Sequence, residues 1–181
     1  MYVPSIMPGT IWITGITASG KTTLGQSLYE RLIEKGVSQV EFLDGDLLRK
    51  SLDKTYGHSL TDRKIVLEKI IKIAQQKNQR GITIIVSTVS HKKEMREYAR
   101  SKINKFMEVH LECSSKACAK RDFKGLYLKA NMGELDLFPG VTEPYETSDF
   151  PDLTINTEHT SISECANTLY REVSLFLGIG I

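Results

Sequence analysis

Eight residues near the start of the chain limit its fold more than any other feature: Gly15-Ile-Thr-Ala-Ser-Gly20-Lys21-Thr22 has the spacing G-x-x-x-x-G-K-[ST]. The β-branched run TIWITG (Thr10–Gly15) precedes it and reads as a buried strand ending at a glycine. An amphipathic stretch, Lys21 to Gly36, follows it. Leu24, Leu28 and Leu32 recur there at helical spacing, and Gly36 is a stop. A glycine-punctuated turn between such a strand and helix aims backbone N–H groups at an anion. The helix presents its positive end to the same anion. Lys21 adds an ammonium for the β- and γ-phosphates, and the Thr22 hydroxyl is suited to Mg²⁺. The predicted donor loop is therefore Gly15, Ile16, Thr17, Ala18, Ser19, Gly20, Lys21, Thr22 and Thr23, binding ATP or a related triphosphate with Mg²⁺.

Short apolar runs alternate with amphipathic stretches along the rest of the chain. Gln39–Asp44, Ile82–Val89, Phe106–Cys113 and Leu153–Asn156 read as strands. Asp62 to Asn78 reads as a helix with Val66, Ile70, Ile73 and Ala74 on one face. His91 to Asn104 reads as a helix with Met95, Tyr98 and Ala99 inward. Ser161 to Phe176 reads as another, burying Ile162, Cys165, Ala166, Leu169, Val173 and Phe176. Strands separated by helices imply right-handed crossovers and a parallel sheet covered on both faces. The expected architecture is α/β: a P-loop NTPase-type three-layer fold with a five-stranded parallel sheet, in one domain over residues 1–181. Asp122 to Phe150 breaks the rhythm with glycines, prolines and the aromatics Tyr127, Phe138 and Tyr145, and reads as a lid segment.

Composition removes several classes. With 24 Lys plus Arg against 22 Asp plus Glu the net charge is +2, which argues against a nucleic-acid partner. No apolar run approaches the ~20 residues that cross a bilayer, so no membrane partner is expected. MYVPSIMPG lacks the look of a secretory signal, and Cys113, Cys118 and Cys165 form no CxxC pair, so free thiols in a cytoplasmic protein are expected. The histidines His58, His91, His110 and His159 have no metal spacing and read as structural. The phosphate loop itself does not name a reaction. Asn104-Lys105 is followed by Phe106-Met107, which lacks the Asp of a guanine reader, and Ile82–Val89 leads into Ser87, Thr88 and Ser90 rather than an acid.

The acids lie instead after the second strand, in Asp44-Gly45-Asp46. The carboxyl end of a parallel strand is where open α/β sheets bind ligands. Phosphoryl transfer to an alcohol gains from a carboxylate that takes the proton or organises Mg²⁺. Asp46 is the candidate for that role, and for the metal with Thr22; Asp44 supports it on the acceptor side. The competing reading is that Asp-Gly-Asp merely makes the turn and caps a helix. Arg49 lies one helical turn beyond Asp46, and Arg49 and Arg63 offer guanidinium forks for phosphate or sulfate. Arg121, Lys124 and Lys129 gather near the lid.

GITASGKTT, LDGDLLRKSL, DRKIVLEKI, the strand ending in STVS, and above all RDFKGLYLKANMGELDLFPGVTEPYE resemble adenylylsulfate kinase, from about Thr10 to the last helix. The resemblance implies ATP-dependent phosphorylation of the ribose 3′-hydroxyl of adenylyl sulfate, and a homodimer. It implies that Lys21 and Thr22 serve ATP and Mg²⁺ and that Asp46 is the catalytic aspartate. Arg49, His58, Arg63, Lys124, Leu126 and Phe138 fall among its acceptor-binding positions, Phe138 by stacking. Arg121 matches a residue near the ATP base, and Ser90 a serine regarded in the family as a phosphorylated intermediate, although in-line transfer needs no covalent step.

The chain departs from the family pattern on the acceptor side. It has Gly57-His58-Ser59 for Gly-Phe-Ser, Val66 for an Asn, Ser90-His91-Lys92-Lys93 for Ser-Pro-Tyr-Arg, Lys129-Ala130-Asn131 for Lys-Ala-Arg, and Phe138-Pro139-Gly140 for Phe-Thr-Gly. The small-molecule acceptor is therefore expected to be adenylyl sulfate or another nucleotide conjugate such as cytidine diphosphoramidate. A non-catalytic nucleotide sensor is the reading of another class.

Overall fold

The computed structural model describes residues 7–52 and 55–179. Five parallel strands, β1 (Thr10–Thr14), β2 (Val40–Asp44), β3 (Thr83–Ser87), β4 (Phe106–Glu112) and β5 (Leu153–Asn156), lie in the order β2-β3-β1-β4-β5. Thr10 is level with Ile84 on one side and Phe106 on the other. The chain leaves β1 toward β2 on one flank and later builds β4 and β5 on the other. The carboxyl end of β1 is thus the switch point where such sheets open a crevice.

Two-residue alternation in the strands sorts the core into two layers. Ile11, Ile13, Ile85, Met107, Val109 and Leu111 face α1 (Lys21–Glu34) and α7 (Ile162–Leu177), meeting Leu24, Leu28, Leu32, Leu169 and Val173. Trp12, Ile84, Val86 and Phe106 face α3 (Leu60–Gln79) and α4 (Lys93–Lys102), meeting Val66, Ile70, Ala74, Met95 and Ala99. Each such buried aliphatic side chain contributes roughly 1.5–3 kcal/mol. Two inward expectations fail. Tyr98 is 41% exposed because it sits off the face that Met95 and Ala99 share, and Ile162 is 68% exposed because it opens α7 before that helix docks.

The strands and long helices fall within a few residues of their expected bounds. α3 starts earlier, at Leu60, because the Ser59 hydroxyl caps it by accepting from Asp62 N. Three short helices carried too little periodicity to be read: α2 (Gly45–Ser51), α5 (Ser115–Arg121) and α6 (Leu126–Asn131). The last lies inside the lid segment, which has a core of its own made by Ile16, Cys118, Tyr127, Ala130 and Phe138. Farther along, the Tyr145 ring stacks on His110 at 5.4 Å, and its hydroxyl bonds Thr14 Oγ1 at 2.8 Å. No helix among the described residues is long and apolar enough to cross a membrane.

Candidate active site

The phosphate loop closes β1 onto α1 in a backbone shape that its sequence permits. Gly15 has φ +150°, and a side chain there would meet Leu111 O and Ser19 Oγ at 2.7 Å. Gly20, at φ +99°, precedes α1, and Ala18 is also left-handed. Lys21 folds back over this cradle and donates a 2.6 Å hydrogen bond to Ile16 O. Burial lowers its ammonium to about 8, against partial opposition from the Asp46 and Asp44 carboxylates. The Ser19 hydroxyl is buried with no partner among the described residues. A glycine-shaped loop at a helix N-terminus, with an ammonium whose hydrogen bond among the described residues is to a carbonyl, is built to take an anion.

Thr17 to Thr23 line a cavity of about 710 Å³ that runs on to Arg121, Phe123, Thr157 and Ile162. Gly15 and Ile16 stand behind it: Ile16 is buried in the lid core and contributes its carbonyl to Lys21. Arg121 donates to Thr157 O at 2.8 Å, and Thr157 Oγ1 donates to Ser19 O at 2.9 Å, so this part of the cavity wall is moored to the loop. Tyr127 adds a third tie from the lid, its hydroxyl donating to Thr17 O at 2.7 Å.

A second cavity of about 840 Å³ adjoins the first. Arg49, His58, Arg63, Lys124, Leu126 and Phe138 line it, together with Tyr56 and Val66. Arg63 spans it, donating to His58 O at 2.9 Å and to Leu137 O at 3.1 Å, and so joins the start of α3 to the lid. Arg49 donates to Gly57 O, while its Nε is buried without a partner among the described residues. Burial, then the two guanidiniums, lowers the His58 pKa below the ordinary histidine value, so the ring is neutral at pH 7. Phe138 meets Tyr127 edge-on at 4.9 Å. Asp46 and Lys124 line both cavities, as do Thr17, Lys50, Thr88 and Val89.

Two expected site residues lie elsewhere. Ser90 is buried and lines neither cavity. Its Oγ accepts from Trp12 Nε1 at 3.1 Å and bonds Thr14 Oγ1 at 3.2 Å, because a buried indole N–H needs an acceptor. Asp44 does not line the acceptor cavity. Its Oδ1 caps α2, accepting from Asp46 N and Leu47 N, and its Oδ2 accepts from Thr22 Oγ1 at 2.6 Å on the phosphate-loop side. The capping reading of Asp-Gly-Asp therefore holds for Asp44, while Asp46 projects from the first turn of α2 into both cavities. Sequence reasoning missed Lys50, one turn beyond Asp46 on the same short helix, and Thr157, which carries no signal of its own.

Two adjoining cavities, one ending on a phosphate loop, are what a group-transfer enzyme needs for donor and acceptor, and known proteins share this arrangement of chain. The family model for adenylylsulphate kinase matches residues 7–156. An adenylyl-sulfate kinase of Synechococcus sp. (strain JA-3-3Ab) is 36% identical over 164 residues, 91% of this chain and 93% of that protein. One from Deinococcus deserti is 38% identical over 154 residues, 85% and 84% of the two chains. The APS kinase of Mycobacterium tuberculosis, solved in complex with AMPPNP and APS, superposes with a TM-score of 0.85 at 33% identity, over 93% of this chain and 99% of that one. From its phosphate loop to its last strand, this chain belongs to the adenylylsulfate kinase family of ATP-dependent phosphotransferases.

Proposed function

We propose that the protein transfers the γ-phosphoryl group of ATP to the ribose 3′-hydroxyl of adenylyl sulfate, giving 3′-phosphoadenylyl sulfate and ADP. The observation that carries this reading is the meeting of the two cavities at Asp46 and Lys124. The loop amides and Lys21 hold the triphosphate, and Arg121 lies toward its base. Arg49, Arg63 and Lys124 answer the acceptor's negative charge, while His58, Leu126 and Phe138 line its cavity. The acceptor oxygen attacks the γ-phosphorus as the bond to the ADP oxygen breaks, and Asp46 takes the hydroxyl proton. No covalent step passes through Ser90.

Thr22 and Asp46 are the groups suited to Mg²⁺, which neutralises phosphate charge when bound. They fit an ion that arrives with the triphosphate, because Mg²⁺ is usually held by one or two carboxylates plus phosphates. Among the described residues no three His, Cys, Asp or Glu groups converge as a separate metal cage. Self-association into a homodimer belongs to the same proposal and is read by sedimentation.

A second reading keeps the reaction and changes the acceptor to another nucleotide conjugate, such as cytidine diphosphoramidate. It is favoured by the neutral, polar His58 ring and by Val66, which offers the cavity no hydrogen bond. A panel of acceptors at fixed Mg·ATP separates these readings. Turnover of adenylyl sulfate supports the first, and turnover of the cytidine compound alone moves the assignment to the second. ATP binding with transfer to no nucleotide supports a sensor instead.

A further inference from the structure

The turn after β3 and the far part of the lid segment meet in a cluster of charged side chains. His91, Lys92 and Glu143 form its centre, and none of them lines either cavity. The Glu143 side chain is only 13% exposed. Lys92 Nζ lies 2.8 Å from its Oε1. The fully buried His91 ring brings Nε2 to 3.2 Å from its Oε2, in contact but out of line for a hydrogen bond. Lys92 also pairs with Glu146 at 3.2 Å, and Glu146 N donates to His91 O at 2.8 Å, so the two segments are held side by side. The ammonium of Lys92 holds the Glu143 carboxyl below the usual carboxylate range, so Glu143 is charged at pH 7.

Glu143 closes a loop that begins at Phe138. Phe138 O accepts from Val141 N and Thr142 N at 3.1 Å and from Glu143 N at 3.3 Å. Phe138 N donates to Thr142 Oγ1 at 2.8 Å, and Gly140 N donates to Glu143 O at 2.7 Å. A loop bonded across itself in this way moves as one body. One end of it is a carboxylate fixed to the turn after β3. The other is the Phe138 ring, which lines the acceptor cavity and rests edge-on against Tyr127. The attachment of the lid segment to the sheet does not depend on Glu143, because Arg96 already bridges Glu108, Ser90 O and Glu146 O. What Glu143 adds is the placement of the Phe138 loop.

We propose that Glu143, held by Lys92 and His91, is a positioning residue for the phosphate acceptor: it sets the Phe138 ring in the acceptor cavity without itself reaching that cavity. The proposal deepens the acceptor reading given above and rests on it. A ring that is already in place when the acceptor arrives costs no ordering on binding, so releasing its anchor weakens the acceptor and spares the donor. Phe138 lines the acceptor cavity and not the phosphate-loop cavity, which gives the effect its direction.

Steady-state kinetics of the intact chain, with adenylyl sulfate and Mg·ATP varied in turn, tests the role; cytidine diphosphoramidate takes the place of adenylyl sulfate where it alone is turned over. Glu143→Ala is expected to raise the acceptor KM by roughly 5- to 50-fold, up to the worth of a charge-assisted hydrogen bond. The KM for Mg·ATP and kcat are expected to stay within about twofold, the pattern of lost acceptor binding. Lys92→Met is expected to act in the same direction and less strongly, since His91 still meets the carboxylate. A loss of folded protein lowers the apparent kcat and leaves both KM values in place, so it does not imitate this split. In a Phe138→Ala background, Glu143→Ala is expected to add less than about twofold to the acceptor KM, because the ring it positions is gone. An unchanged acceptor KM, an equal rise in both KM values, or full additivity with Phe138→Ala overturns the positioning role. An unsubstituted chain that turns over neither acceptor overturns the acceptor reading itself, and the positioning role with it.

Discussion

The Thr22 hydroxyl donates a 2.6 Å hydrogen bond to Asp44 Oδ2, tying the first turn of α1 to the last residue of β2. The same carboxylate caps α2 through its other oxygen, and so fixes the direction in which Asp46 leaves the helix. One side chain therefore aligns two groups proposed to act on the phosphates. Replacing Asp44 with Ala removes the cap, which costs ~1 kcal/mol of stability, and misplaces both groups, for a loss of turnover of roughly 10- to 100-fold. Asp44→Asn keeps a capping oxygen and is expected to recover the stability but only part of the turnover. Denaturant unfolding beside steady-state kinetics checks this. An Asn variant with full turnover would mean that the bond from Thr22 plays no part in transfer.

Asp46 carries a different kind of prediction because, among the described residues, its side chain makes no hydrogen bond that holds the fold, while its backbone N–H is engaged at Asp44. Asp46→Asn is expected to leave unfolding nearly unchanged, to weaken Mg·ATP binding through the lost metal-holding carboxylate, and to slow transfer by roughly 10²–10⁴, the range for lost acid–base assistance. Single-turnover measurement with saturating acceptor isolates that step. A rate within a few-fold of the unsubstituted chain would remove Asp46 from the proton transfer.

The sheet and the phosphate loop were legible because their signals are local. A β-branched run, a glycine turn and leucines at helical spacing each specify one element without help from distant residues. Short helices were not legible, since six or seven residues span under two turns. The type of a site residue was also easier to read than its direction. Ser90 follows β3 as expected but turns its hydroxyl to Trp12, a choice set by an indole 78 positions away. Within Phe106–Glu112 the alternation that buries Val109 and Leu111 on one face also buries Glu108 on the other. A buried carboxylate there requires a cation from α4, which periodicity alone does not announce.

That cation is Arg96, which is fully buried and bonds Glu108 Oε1 at 3.0 Å, Ser90 O at 2.5 Å and the carbonyl of Glu146. It joins the sheet, the turn after β3 and the end of the lid segment in one network, with Ser148 Oγ also donating to Glu108. Removing one partner of a buried ion pair costs roughly 3–5 kcal/mol, and here Glu108 keeps one weaker partner, Arg100, at 3.7 Å. Arg96→Ala is expected to lose about that much in equilibrium unfolding. Adding Glu108→Gln should recover only a part, because the carbonyls of Ser90 and Glu146 still lack their donor. Full recovery in the double variant would reduce the network to the ion pair alone.

Lys21 links the phosphate loop to pH. Burial places its pKa near 8, well under the ordinary lysine value of 10.5. The unfolded chain therefore holds more protons than the folded one between about pH 8 and 10.5, and the free energy of unfolding gains from this residue as pH rises through that window. Binding runs the other way. Phosphate oxygens favour the charged ammonium, so triphosphate binding above about pH 8 must take up a proton, and affinity falls as pH rises. Below that pH the ammonium is already charged and this residue adds no slope. Calorimetry at pH 9 in buffers of different ionisation enthalpy counts the proton. Uptake approaching one proton, abolished in Lys21→Met, is the expected result. Binding at pH 9 with no proton uptake would mean either that Lys21 is already charged in the free chain or that it takes no part in the grip, and the affinity of Lys21→Met separates the two.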